Sequence, residues 1–292
     1  MEIRDGFSKL HPAVTFTYFV AVILFALLLL NPVFQGIGLF SSILCFLIYK
    51  GKKALSSALV FILPLFILAI VLNPLFNHRG VTVIAYLPSG NPVTLESLIY
   101  GVSAGVMIIT VLFWFMIYNQ VITTDKFIYL FGKRIPALSL VLSMALSFGP
   151  RFKDQFIKIR EAQVMLGRDG KSLKTLSVIL KIMVTWALEN GIDTADSMRS
   201  RGYGTGRRSN YSIYIFDRRN LIILVFLTGA SVFLVLGSVF GIVGFQYYPV
   251  MSEISLGGKH LVLYTLYLLL CITPLMVRLR EDYQWKYSNQ RS

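Results

Sequence analysis

Apolar residues run almost without interruption over residues 14–30, 34–49, 55–72, 98–118, 221–245 and 261–277. A helix that crosses a bilayer needs about 20 mostly apolar residues. The six runs meet or approach that length and none contains Asp, Glu, Lys, Arg or His, so they predict six transmembrane helices. The Asn31-Pro32 step allows a tight turn that makes the first two runs a helical hairpin, closed on a polar face by Lys50, Lys52 and Lys53. Pro64 predicts a bend in the third run. Gly101 and Gly105, and again Gly237 and Gly241, have the four-residue spacing that lets membrane helices approach closely. Residues 73–96 form a polar, turn-rich connection containing Pro74, Gly80, Pro88, Gly90 and Pro92.

The pattern changes between Asn119 and Arg219, where 17 Lys or Arg stand against 8 Asp or Glu and the apolar stretches shorten. Residues 137–148 predict a helix that Gly149-Pro150 breaks or bends, followed by a second helix over 151–165. Gly167, Asp169 and Gly170 supply a turn. Leu173, Leu176, Leu180, Met183 and Ala187 then recur at helical spacing, predicting a long helix over 172–200 with Ser172 as N-cap. Gly202, Gly204 and Gly206 stop that helix, and Arg199 and Arg201 lie where cations suit the helix dipole. The predicted organisation is an N-terminal membrane bundle over 1–118, a region of helices over 119–219, and a C-terminal membrane hairpin with a polar tail over 220–292.

Composition strengthens the membrane reading: 55% of the 292 residues are hydrophobic, 14% are charged, and the mean hydropathy is +0.68. The net charge of +14 is localised. Of 28 Lys and Arg, all but Arg79 and Lys259 fall in the N-terminus, the 50–53 loop, the central block or the C-terminal tail. The positive-inside rule then predicts a multi-pass protein of the cell membrane with both termini and the central block in the cytoplasm. Anionic lipids are expected partners of the basic block. No small-residue cleavage pattern follows the charged N-terminus, so the first span is expected to be retained.

Catalytic and metal chemistry finds little support. His11, His78 and His260 are dispersed without ligand spacing, Cys45 and Cys271 lie inside apolar runs, and no GxxxxGK phosphate loop occurs. We therefore expect no enzyme, metal, cofactor or nucleic-acid partner. An ion-coupled transporter usually places an ionisable group in the bilayer, and the six runs offer none; a stand-alone membrane transporter is the alternative reading.

The segment ALENGIDTADSMRSRGYG, residues 187–204, resembles the signature of the transmembrane T component of energy-coupling factor transporters, which include the permeases of cobalt and nickel systems. His11-Pro12, TTDKF at 123–127, Gly149-Pro150 and EAQ at 161–163 extend the resemblance along the chain. The resemblance implies an all-α integral membrane protein with about six transmembrane helices and two or three long cytoplasmic coupling helices. It also implies two ABC-type ATPase subunits and a small membrane substrate-binding subunit as partners, serving uptake of a vitamin or a transition-metal ion. Two coupling helices in that family end in Ala-Arg-Gly motifs that dock on the ATPases. Here the second motif corresponds to Ser200, Arg201 and Gly202. The first falls on Met165, Leu166 and Gly167, where only the glycine matches; Arg168 supplies the charge one position later, or the arm binds through Met165 and Leu166. Ile179, Ile182 and Trp186 widen the apolar face of the second helix and are the expected contact for the substrate-binding subunit.

Overall fold

The computed structural model describes residues 6–86, 90–132, 135–167, 172–206, 214–255 and 257–289. Its elements run α1 (Pro12–Leu28), α2 (Pro32–Phe76), β1 (Val83–Tyr86), β2 (Pro92–Thr94), α3 (Leu95–Val121), α4 (Thr124–Gly132), α5 (Pro136–Met165), α6 (Leu173–Ser200), α7 (Arg218–Val239) and α8 (Gly258–Asn289). The chain is an all-α membrane protein. Helices α2, α3, α6, α7 and residues 258–281 of α8 are long and apolar enough to cross a bilayer, while α1 is a shorter apolar helix.

The six apolar runs reappear as α1, two limbs of α2, α3, α7 and α8. Local chemistry explains several boundaries. His11 starts α1: its Nδ1 accepts from the Ala13 amide at 3.2 Å, and Pro12 fills the first helical position, where a missing N–H costs nothing. Asn31 does the same for α2, accepting from the Val33 amide at 3.0 Å ahead of Pro32. Inside α2 the helical path breaks at Gly51, whose φ of 81° and ψ of 172° are left-handed extended values that a Cβ would oppose. The lysines beside it therefore mark a joint between two limbs, and Pro64 and Pro74 lie within the second.

Two compact units divide the chain. The first comprises residues 1–123 and 214–292, with a core built by α1, α2, α3, α7 and α8. Trp114, Tyr18, Phe7 and Phe19 stack edge to face at its centre, and the Tyr18 hydroxyl donates to the Cys271 carbonyl at 2.9 Å. Gly101 and Gly105 do allow close approach: a Cβ on Gly101 would lie 3.2 Å from backbone atoms of Ile70, and one on Gly105 would lie 2.5 Å from the Phe66 ring. Gly237 packs likewise on Leu263, but Gly241 faces open space. Its φ of 71° makes it a helix cap, contrary to the packing role expected from spacing.

The connection read as a polar loop contains a small antiparallel hairpin, with Val83 opposite Thr94 and Tyr86 opposite Pro92. Thr94 caps α3 by accepting from the Ser97 amide at 3.3 Å, and Glu96 accepts from the Thr82 amide at 3.1 Å, tying the hairpin to the helix. A buried polar cluster also escaped the hydropathy pattern. Ser103 Oγ donates to Gln35 Oε1 at 2.7 Å, and the Tyr247 hydroxyl reaches Ser103 Oγ at 2.8 Å and the Leu30 carbonyl at 2.6 Å. Burial pushes the Tyr247 phenol above its ordinary range.

The second unit, residues 124–213, contains α4, α5 and α6. Of the break or bend expected at Gly149-Pro150, the break does not occur: α5 is one helix of 30 residues with Pro150 inside it. Proline removes one amide bond and crowds the preceding turn, at about 3 kcal/mol. Here Phe148 and Phe152 bracket the defect with ring centroids 6.0 Å apart, and Phe152 packs on Trp186 of α6.

Candidate functional site

The second unit is a helical hairpin whose two C-terminal tips hold most of the residues singled out in the sequence. Phe156 and Ile159 of α5 meet Ile179 and Met183 of α6 in a small buried cluster. Phe152 meets the Trp186 ring edge to face at 5.4 Å. Further along, Ala145, Phe148 and Gly149 share a groove of about 410 Å³ with Ala187 and Gly191. Positions that fall along α5 thus meet positions that rise along α6, so the helices are antiparallel. The end of α5 and the end of α6 therefore lie at opposite ends of the pair, about 40 Å apart at 1.5 Å per residue of α6.

Each tip ends in a glycine with left-handed backbone whose amide donates back into the last turn. At the end of α6, the Gly202 amide donates to the Arg199 carbonyl at 2.9 Å and the Tyr203 amide to the Met198 carbonyl at 3.0 Å. These are the two bonds of a Schellman cap, with Arg201 at the capping position and Gly202, at φ 83°, following it. At the end of α5, the Gly167 amide donates to the Val164 carbonyl at 2.9 Å, Leu166 is the capping residue, and Gly167 has φ 77°. Met165-Leu166-Gly167 and Ser200-Arg201-Gly202 therefore occupy equivalent positions of two helix ends. The cap at Gly241 has the same bonds, from Gly241 to Ser238 and from Ile242 to Gly237, so the device alone does not define a site.

What distinguishes the two tips is their surface. Met165 is 87% exposed and Leu166 is 70% exposed, an apolar pair that the fold leaves uncovered. At the other tip Ser200, Arg201, Gly202 and Tyr203 are all exposed. Ser200 Oγ donates back to the Ser197 carbonyl at 2.9 Å, which ties its side chain to the helix and leaves the Arg201 guanidinium as the projecting group. Asp193, Thr194, Ser197, Met198 and Arg201 line one shallow depression of about 270 Å³ along the last two turns. Arg168 lies outside the described residues. In α4, Lys126 of the TTDKF segment is buried, and the loss of solvent pushes its ammonium pKa down.

The three residues expected to meet another membrane subunit separate. Ile179 is 1% exposed and faces α5, and Trp186 is half-buried against Phe152; Ile182 is open. Sequence periodicity picked out Leu176, Leu180 and Met183 as one stripe. In the structure the inner stripe is Thr175, Ile179 and Met183, and Leu176, Leu180, Val184 and Leu188 form an exposed apolar ridge. Because α6 is apolar on both stripes, spacing could not show which one α5 covers.

The fold and these two tips define a class first: a multi-pass, all-α membrane protein carrying a separate unit of paired helices with glycine-capped ends. No family model matches the chain. Over 104 residues it is 33% identical to the "Energy-coupling factor transporter transmembrane protein EcfT" of Lactobacillus helveticus (strain DPC 4571), a similarity that covers 33% of this chain and 38% of that relative. The chain thus spans well under half the length of the curated relative that it matches.

Proposed function

We propose that this protein is the energy-coupling membrane subunit of an importer of the energy-coupling factor type. The observation that supports this reading most directly is the placement of two X-X-Gly motifs at equivalent positions of two helix ends at opposite ends of one hairpin. Two tips about 40 Å apart suit two separate ATPase subunits, one per tip. In this reading Arg201 offers a bidentate cation to an acidic groove, Ser200 and Gly202 keep the helix end narrow enough to enter it, and Met165, Leu166 and Gly167 dock the other arm, with Arg168 beside them. The similarity to the Lactobacillus helveticus protein points the same way.

A rigid hairpin anchored at both ends converts a change in spacing between its two ATPases into rotation of α5 and α6. The exposed ridge of Leu176, Leu180, Val184 and Leu188, with Ile182, is then the surface that passes this motion to a small substrate-binding membrane subunit. Ile179 and Trp186 serve that contact from behind, by holding α6 on α5. The cargo is a vitamin or a transition-metal ion carried by that other subunit, ATP hydrolysis belongs to the ATPases, and the central helices and both termini face the cytoplasm.

The test is affinity purification of the tagged chain from its native membrane, in parallel with Arg201→Glu. Two ATPases and a small membrane protein should accompany the original chain, and the ATPase at the α6 tip should be lost or greatly reduced with the charge-reversed variant. Undiminished recovery of both ATPases with Arg201→Glu refutes the docking role. A chain that purifies alone and transports without ATPases refutes the coupling reading.

A further inference from the structure

Helices α7 and α8 enclose a cavity of about 510 Å³ at the end of the pair where α7 begins and the charged segment of α8 lies. Its walls are apolar and include Ile222, Phe226, Leu269 and Met276, and two arginines, Arg219 and Arg280, also line it. Arg219 Nη1 donates to Glu281 Oε1 at 2.7 Å. Its Nη2 is buried and makes no hydrogen bond among the described residues, an expensive condition for a charged donor. Arg280 is exposed and has no ion pair among the described residues. The neighbouring Arg278 is engaged elsewhere, donating to the Ile48 carbonyl at 3.0 Å and lying over the Tyr49 ring. Among the described residues, two guanidinium groups stand against one carboxylate at this rim, and one guanidinium nitrogen lacks an acceptor.

The apolar part has a defined reach. Leu269 lies about 16 Å along α8 from Arg280, and Phe226 about 10 Å along α7 from Arg219. Half of a hydrocarbon core is about 15 Å thick. The groove therefore extends from a cationic rim over roughly the depth of one leaflet, on two helices that are themselves long and apolar enough to span the membrane. A soluble anion would use the arginines and leave the apolar walls wet. A zwitterionic lipid would fill the walls without balancing the rim.

We propose that this cavity is a binding site for one anionic phospholipid of the surrounding bilayer. An acyl chain lies along Ile222, Phe226, Leu269 and Met276, and headgroup phosphate oxygens accept from Arg219 Nη2 and from Arg280. Glu281 sets the Arg219 fork by holding its other nitrogen. The site is separate from the basic central unit and does not rest on the coupling reading.

Native mass spectrometry of the full chain in neutral detergent tests it, using phosphatidylglycerol and phosphatidylcholine with identical acyl chains, and inorganic phosphate as competitor. With two basic residues at the headgroup, phosphatidylglycerol adducts should exceed phosphatidylcholine adducts roughly tenfold or more. Arg280→Glu should bring the two lipids level. Leu269→Trp, which fills the groove and leaves both arginines, should lose phosphatidylglycerol as well, and phosphate should not displace the lipid. Equal adducts of the two lipids on the unaltered chain overturn the proposal without reference to any variant. So does selectivity that survives both substitutions, displacement by phosphate, or a dimer of the chain appearing where the lipid adduct should be.

Discussion

Gly202 offers the cleanest separation of shape from charge at the α6 tip. A Cβ at this position would meet only Thr205 Oγ1, at 3.3 Å, so crowding contributes little and the cost of Gly202→Ala is set by the backbone. At φ 83° an L-residue pays about 1–2 kcal/mol. Part of that is offset because alanine also restricts the unfolded chain, by about 0.4–1 kcal/mol. A net loss near 1 kcal/mol corresponds to roughly fivefold more frequent opening of the cap. Hydrogen exchange of the Gly202 and Tyr203 amides, which donate to Arg199 and Met198, reads that opening directly. Gly202→Ala should accelerate exchange over residues 198–206 by roughly that factor. Gly202→Asn should do so far less, since asparagine tolerates the left-handed region. Arg201→Gln should lower ATPase recovery while leaving exchange near that of the original chain. Equal exchange in the alanine and asparagine variants refutes the strain argument. Faster exchange in Arg201→Gln than in Gly202→Ala would reduce the arginine to a capping group.

Three further expectations follow from packing. Gly105→Leu should destabilise the first unit by about 1–3 kcal/mol through the clash with Phe66, measured by thermal unfolding in detergent, and Phe66→Ala in the same chain should recover part of the loss. Trp186→Ala should cost about 1–3 kcal/mol, below the about 3–5 of a fully buried aromatic because Trp186 is half-buried; it should show as faster exchange along both α5 and α6, and an effect confined to α6 refutes the proposed pairing. Ser103→Ala should cost about 1–3 kcal/mol by leaving Gln35 and Tyr247 short of a partner, and its effect should be less than additive with Tyr247→Phe.

The membrane part of the fold was legible because its signal is local: each apolar run fixes one helix or limb, and Asn31-Pro32 fixes where one of them begins. The glycines after Arg201 and Leu166 were legible for the same reason, since left-handed backbone at a helix end selects glycine. What depended on distant partners was not. Pro150 lies within a continuous helix whose next turn reaches Trp186, 34 positions on from Phe152 along the chain. Ile179 turned inward because α5 covers that stripe of α6 and not the equally apolar one beside it. Gln35 looked like an ordinary uncharged residue of an apolar run until Ser103 and Tyr247 were placed against it. Gly51 shows an intermediate case. The lysines around it signalled a polar turn, but only the backbone angles identify the hinge residue.

The two tips share a left-handed glycine after the cap and differ at the capping residue, Leu166 in one and Arg201 in the other, and under the proposed coupling role this difference would set how the first arm docks. An exposed ion pair contributes about 0–1 kcal/mol. Burying a Met or Leu side chain contributes about 1.5–3 kcal/mol. Met165 and Leu166 are 87% and 70% exposed, so folding has used the smaller part of that free energy and an interface has most of it to gain. Met165→Ala with Leu166→Arg would build Ala-Arg-Gly at the first tip with the cap intact, because neither side chain carries the Gly167 to Val164 bond. If this arm binds by apolar contact, the double variant should weaken ATPase recovery at least tenfold on dilution, the equivalent of about 1.4 kcal/mol, with hydrogen exchange at the tip unchanged. Recovery equal to that of the original chain would mean that a cation serves both arms equally well and that the exposed apolar pair contributes nothing to docking.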